Sequence, residues 1–481
     1  MTLSLAALQS RFIGIDTEYP LASGGRSRRY YLDSAASTLM LEPAWQTARS
    51  FLRHYANTHS HLHYGARIAT HVYVWAHERA LAFVGANQKD YACAFAGSGS
   101  TAGFNRIARA LAKLRPERDT VLISGMEHHS NDLPHRKHSG RVEHIPMLGT
   151  APAFGTLDLV ALEALLNQNK GRVNYVAVTG ASNVTGIINP IAEMARLAHA
   201  HGAWLVVDGS QLVMHAPVRM DDGIDFLAFS GHKVYAPGSP GVVVGRRDIL
   251  SGLEPDEVGG GMVDDVSLEG YVVSDRFPDR EEAGTPNIVG AVLLGAALET
   301  LMQLGMENVH AAEQAMLAPL MAELAARPLV RVYGDFDLKR SPRTGTIAFN
   351  IDGLEHGLVA AALNDYFGVA VRNDCFCAHP YVREMLKPEL WAIDLGAETP
   401  ENLAEMELRK GMVRASFGLY TTQDDLNALL AGIDALCADV ALFQSRYQRG
   451  ADNVHRHRQF SAPAASLFDP RRELARALEA A

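Results

Sequence analysis

The sequence predicts an α/β protein: a large domain on a mostly parallel, doubly wound sheet, followed by a smaller α+β C-terminal domain. Three observations predict it. Short apolar runs recur at 91–95, 120–124, 175–179, 204–208 and 224–229, several of them ending in a polar residue. Such runs suit buried parallel strands whose carboxyl ends open onto a crevice. Helical patterns stand between them, and that alternation marks a doubly wound sheet. A long helical region at 288–326 then leads into strand-like stretches at 346–351 and 368–372 with a helix between them.

A chain of 481 residues has room for two sizeable cores. The expected division is an arm at 1–29, a large domain at 30–290, a small domain at 291–450 with an insertion at about 381–411, and a tail at 451–481. With 48% hydrophobic and 20% charged residues the composition is that of a globular protein. A net charge of −10 argues against nucleic acid or an anionic membrane as main partner. No apolar run reaches membrane-spanning length, and the apolar start at 1–7 is too short for a signal peptide, so a cytoplasmic enzyme is expected. The four cysteines, Cys93, Cys375, Cys377 and Cys437, are expected to be reduced, with Cys93 and Cys437 in the core.

In chain order, helices are expected at 43–55 and 70–85, around a loop carrying His59, His61 and His63. Alternating histidines can hold a metal, but an active-site loop explains them as well and no metal is expected. After the strand at 91–95, Gly97-Ser98-Gly99-Ser100-Thr101 opens a helix with an apolar stripe at Phe104, Ile107, Leu111 and Leu114. Glycines there let backbone N–H groups and the helix dipole meet a phosphate, though a degraded dinucleotide loop reads similarly. A helix at 191–201 returns to the run 204–208, a turn follows at 238–241, and 242–244 is expected to close the sheet. Further on, a helix with Thr399 as N-cap, Pro400 in its first turn and Gly411 past its end is expected inside the insertion. The tail carries a last helix at 470–480.

Two adjacent strand ends would bring Asp208 and Lys233 to one edge of the sheet, where α/β proteins bind ligands. Pyridoxal phosphate wants a lysine for its Schiff base and an acid against its ring nitrogen. The bland alternative makes Asp208 a helix cap and Lys233 a surface lysine. Asp208-x-x-Gln211 followed by Ser230-x-His232-Lys233 resembles the class V aminotransferase family of fold type I pyridoxal-phosphate enzymes. Over roughly residues 30–440 the likeness is greatest to group II cysteine desulfurases and selenocysteine lyases.

The resemblance implies a role for each further motif. Tyr30 to Ser37 resembles the family's entry to the site, where small residues such as Ala36 leave room for substrate; His63 lies in its substrate loop. Gly99, Ser100 and Thr101 match the cofactor-phosphate positions, with Ser230, His232 and Gln211 also toward the cofactor. In Glu127-His128-His129-Ser130-Asn131, His128 would stack on the ring and shuttle protons. Ser182-Asn183-Val184-Thr185-Gly186 matches a loop whose asparagine meets substrate carboxylate and ring hydroxyl. Gly284-Thr285-Pro286 implies that Thr285 reaches the phosphate of a neighbouring subunit, hence a homodimer. Arg372 to Pro380 aligns with Arg-Thr-Gly-His-His-Cys-Ala-x-Pro, placing Cys377 at the persulfide-forming position while Asn373-Asp374-Cys375-Phe376 depart from it. A Cys-x-Cys-x-His metal site is the rival there. Val413-Arg414-Ala415-Ser416 matches the strand whose arginine grips the substrate carboxylate.

The expectation is therefore a pyridoxal-phosphate cysteine desulfurase. Lys233 would hold the cofactor and take the α-proton, Asp208 would face the ring nitrogen, Arg372 and Arg414 would meet the substrate, and Cys377 would take its sulfur for a possible acceptor protein. Another aminotransferase, epimerase or C–S lyase, a cofactor-binding relay protein and a nicotinamide dehydrogenase are the alternatives.

Overall fold

The structure is a computed structural model that describes residues 3–58, 60, 62–255, 257–391 and 409–479. Seven strands form the large sheet: β1 (Tyr91–Ala96), β2 (Thr120–Ser124), β3 (Arg141–Ile145), β4 (Val173–Thr179), β5 (Trp204–Asp208), β6 (Phe226–Ser230) and β7 (Gly241–Arg246). Their order across the sheet is β1-β7-β6-β5-β4-β2-β3. Only β7 runs against its neighbours, pairing Val244 with Cys93 on one side and Leu227 on the other. Every residue of β2, β4, β5 and β6 is buried, as a sheet covered on both faces requires.

One expectation about this sheet is corrected. The run 242–244 does not close it; β7 lies inside, between β1 and β6. Gly241 permits this, because a Cβ there would stand 2.4 Å from the carbonyl of Gly99. The far edge is instead β3, which the sequence reading passed over. Its alternation of Arg141, Glu143 and His144 with apolar residues hides it, and edge charges of this kind deter pairing with another chain.

Helix α1 (Gly99–Leu114) follows β1 and buries Phe104, Ile107 and Leu111, and α2 (Ile191–Ala200) returns to β5. The helical region at 288–326 is two helices, α3 (Ile288–Leu304) and α4 (Met306–Ala325), bent by 74°. Gly305, at φ +78°, is the break. Among the described residues no single helix is long and apolar enough to cross a membrane.

The smaller sheet has β8 (Val330–Val332), β9 (Thr346–Ile351), β10 (Arg372–Asp374) and β11 (Met412–Ser416), all antiparallel in the order β8-β9-β11-β10. The single strand expected at 368–372 is divided. Val369–Ala370 pairs in parallel with Tyr30–Tyr31, whereas Arg372–Asp374 joins β11. The N-terminal segment wedges Phe12 between Tyr235 and Tyr420, with ring centroids 5.4 and 4.9 Å away. The expected cap at Thr399 and Pro400 lies outside the described residues, as do His59 and His61.

Candidate active site

A cavity of about 240 Å³ opens at the carboxyl ends of β5 and β6, lined on its far side by Arg372, Phe376, Cys377 and Arg414. Lys233 reaches it from the tight turn after β6. Thr38 pins that turn: its N–H and hydroxyl both donate to the His232 carbonyl, at 3.1 and 3.0 Å, and its oxygen accepts from the Tyr235 N–H at 2.8 Å. Desolvation pushes the Lys233 amine down to about 8, helped by Arg414 and Arg372 and opposed by Asp208. Asp208 ends β5 and accepts from the Ser210 N–H at 2.9 Å. Burial raises its carboxyl above the usual range despite Lys233.

The start of α1 is drawn tightly against β6. The Ser100 N–H donates to Ser230 Oγ at 2.9 Å, and the hydroxyls of Ser210 and Ser230 each donate to Ser100 Oγ at 3.0 Å. Gly99 adopts φ +60°, and a Cβ there would meet Ser230 Oγ at 2.7 Å. Beside this cradle Thr101 Oγ1 bonds Ser130 Oγ at 2.7 Å, and His128 Nδ1 accepts from the Ser130 N–H at 3.1 Å. Burial and the Lys233 charge hold His128 down at about 3, so its ring stays neutral. Behind it the Glu127 carboxyl, raised by burial, receives Asn131 Nδ2 at 2.7 Å and the Thr179 N–H at 2.5 Å.

Arg414, 2% exposed, forms the opposite wall. Its Nη1 donates to the Asn183 carbonyl at 2.8 Å and its Nη2 to Asp33 Oδ1 at 3.1 Å. Desolvation lowers it to about 10. Arg372 pairs with Arg414 across β10 and β11, so two guanidinium groups share one side of the cavity. Three buried polar atoms of this region have no partner within the described residues: Arg414 Nε, Asn183 Oδ1 and Gln211 Oε1. Buried polar atoms left so call for a ligand or water.

Cys377 completes the lining as an exposed thiol. Phe376 and Cys377 both hold positive φ, +52° and +56°, and the Cys377 carbonyl accepts from the His129 N–H at 2.7 Å. Cys375 is buried and donates from Sγ to the Lys410 carbonyl at 2.8 Å, while His379 stacks on His129 at 4.8 Å. The rival metal set thus diverges, and among the described residues no three His, Cys, Asp or Glu side chains gather for an ion.

Of the residues singled out in the sequence, Ala36, Ser100, Thr101, His128, Asn183, Asp208, Ser230, His232, Lys233, Arg372, Cys377 and Arg414 line this one cavity. Gly99 and Gln211 stand just behind it; Gln211 Nε2 donates to the Ala35 carbonyl at 2.7 Å. Two stand apart: His63 is exposed and caps the helix Tyr64–Phe83, and Thr285 is exposed beside Asn57. Asp33 and Phe376 have no role in the expectations drawn from the sequence. Phe376 directly precedes Cys377 and departs from the family pattern, which is a signal; Asp33 lies within the entry motif but has none of its own.

Residues 30–429 match the family described as aminotransferase class-V. The chain belongs to that family. Its class V relatives include the cysteine desulfurase of Klebsiella pneumoniae strain 342, 34% identical over 442 residues, covering 91% of this chain and 99% of that protein. The cysteine desulfurase of Escherichia coli O127:H6 is 34% identical over 409 residues, covering 84% and 93%. Among solved structures, the apo cysteine desulfurase of Thermococcus onnurineus NA1 superposes with a TM-score of 0.74 at 29% identity, covering 85% of this chain and 95% of its own. The E. coli cysteine desulfurase CsdA gives 0.73 at 27% identity, covering 92% and 100%. The architecture is accordingly that of fold type I.

The residues present fit the cofactor expected from the sequence. A buried acid, an amine of lowered pKa and a serine-lined helix start border one cavity, with unpartnered buried polar atoms on Arg414, Asn183 and Gln211 around it. That set suits a group with a phosphate, an aldehyde and a basic ring nitrogen.

Proposed function

We propose that the chain is a pyridoxal-phosphate-dependent cysteine desulfurase that takes sulfur from L-cysteine through Cys377 and leaves alanine. The observation that carries this reading is the exposed Cys377 thiol on the same cavity as Lys233 and Arg414. The cofactor, when bound, supplies a conjugated ring that takes up negative charge from the substrate carbons.

This chain's residues do the rest. Lys233 would hold the cofactor through its amine, and the same amine, when neutral, would take the substrate's α-proton. Asp208 would meet the ring nitrogen as a carboxylate, and the first turn of α1 with Ser100, Thr101 and Ser230 would hold the phosphate. Arg414, Arg372 and Asn183 orient the α-carboxylate. His128, a neutral imidazole on the cavity wall, would stack on the ring and could relay protons. The Cys377 thiolate then attacks the substrate sulfur; the S–S bond forms as the C–S bond breaks, and the electron pair left on carbon is taken up by protons to give alanine. The extra sulfur remains on Cys377 for a thiol or protein acceptor. We extend the reading to a cytoplasmic homodimer in which Thr285 reaches its partner's cofactor phosphate.

The test is mass spectrometry after a single turnover with cysteine. One added sulfur on the peptide carrying Cys375 and Cys377 is expected. Cys377→Ser should abolish it while the cofactor absorbance persists, and Cys375→Ser should be milder. If no sulfur appears and turnover survives Cys377→Ser, the reading gives way to an aminotransferase or lyase.

A further inference from the structure

Phe376 touches both halves of the site. Its ring, 4% exposed, lies beneath the guanidinium of Arg414, with Cζ 4.8 Å from the ring centroid. Its carbonyl accepts from Asn183 Nδ2 at 2.7 Å, and the Asn183 carbonyl in turn accepts from Arg414 Nη1 at 2.8 Å. Arg414, Asn183 and Phe376 therefore close a ring of contacts. The next residue is Cys377, and both hold a left-handed backbone that non-glycine residues keep only where their surroundings impose it.

We propose that Phe376 is a positioning residue that makes the carboxylate site and the thiol loop one mechanical unit. Its ring fixes the plane of the Arg414 guanidinium. Its backbone, held by Asn183, fixes the conformation from which Cys377 presents its sulfur. A neutral aromatic ring suits this place better than an imidazole, which on protonation would repel the cation above it. The inference rests on the amino-acid-binding part of the reading above, and not on desulfuration.

The test uses the cofactor-loaded protein with L-alanine, which has no sulfur to transfer, and two readouts. One is the alanine dissociation constant from the cofactor absorbance; the other is the alkylation rate of Cys377 by iodoacetamide, followed on its peptide. Phe376→Leu and Phe376→Met fill the space without a π face. Both should weaken alanine by about tenfold and change the Cys377 alkylation rate several-fold in ligand-free protein. Phe376→Tyr should restore both readouts together. Two non-aromatic variants guard against one failing to fold. If either folds and binds alanine as the parent does, or if affinity falls while Cys377 reactivity stays constant, the unit does not exist. Either result leaves the desulfurase reading standing, because the persulfide assay is independent of it.

Discussion

At the scale of single residues, the site works by desolvation. The Lys233 amine, lowered to about 8, is the group a cofactor aldehyde must find unprotonated. In cofactor-free protein the uptake rate of pyridoxal phosphate should rise with pH until about 8 and level above it, whereas a surface lysine would keep rising toward about 10.4. The sign for stability is the same. A depressed lysine leaves the folded state with fewer bound protons than the unfolded chain between those two values, so the cofactor-free protein should gain stability across that window as pH rises. A urea-unfolding series checks it. Arg414→Ala should weaken amino-acid binding by about 2–5 kcal/mol, since it removes a buried charged donor, while the cofactor spectrum persists. Unchanged affinity in a titration would remove Arg414 from the carboxylate site. Lys233, Asp208, Cys377 and Arg414 were legible because each is a chemically distinctive type in an ordered motif. Asp33 was not, because its importance depends on an arginine 381 positions away.

Among elements, the first residue of β7 and the first of α1 pass close together. Gly241 and Gly99 let these backbones pass at a distance that no side chain could occupy. Gly241→Ala should therefore push the start of α1 off β6, costing about 1–3 kcal/mol in stability and loosening the cofactor phosphate. Thermal unfolding and cofactor retention after dialysis would register the two effects separately. A Gly241→Ala protein with unaltered retention would mean that α1 keeps its position by other contacts. The interior strands were readable because burial on both faces makes them uniformly apolar. The edge strand β3 was not, because solvent lets it carry charges that imitate a loop. Nor could local pattern divide residues 368–372 between two sheets, since pairing with Tyr30–Tyr31 is a long-range fact.

Across the molecule, the N-terminal segment joins parts that are remote in sequence. Phe12 lies against Tyr235, two residues beyond Lys233, and against Tyr420, six beyond Arg414. Phe12→Ala should cost about 3–5 kcal/mol, with its first symptom at the cofactor. A calorimetric scan beside the absorbance spectrum would show it; a protein that lost neither stability nor cofactor would make the wedge superfluous. The cavity itself draws on residues from Ala35 to Arg414, most of the chain's length. This has a consequence in time. At about 5–20 residues per second, Arg414 leaves the ribosome tens of seconds after Ala35, long after the last strand of the large sheet. A nascent chain halted before Met412 can already own its lysine and its phosphate cradle, yet it lacks Arg414, the buried cation of the carboxylate site. Such stalled chains should be labelled by the cofactor but respond only weakly to amino acids, and the full response should switch on only when β11 has emerged.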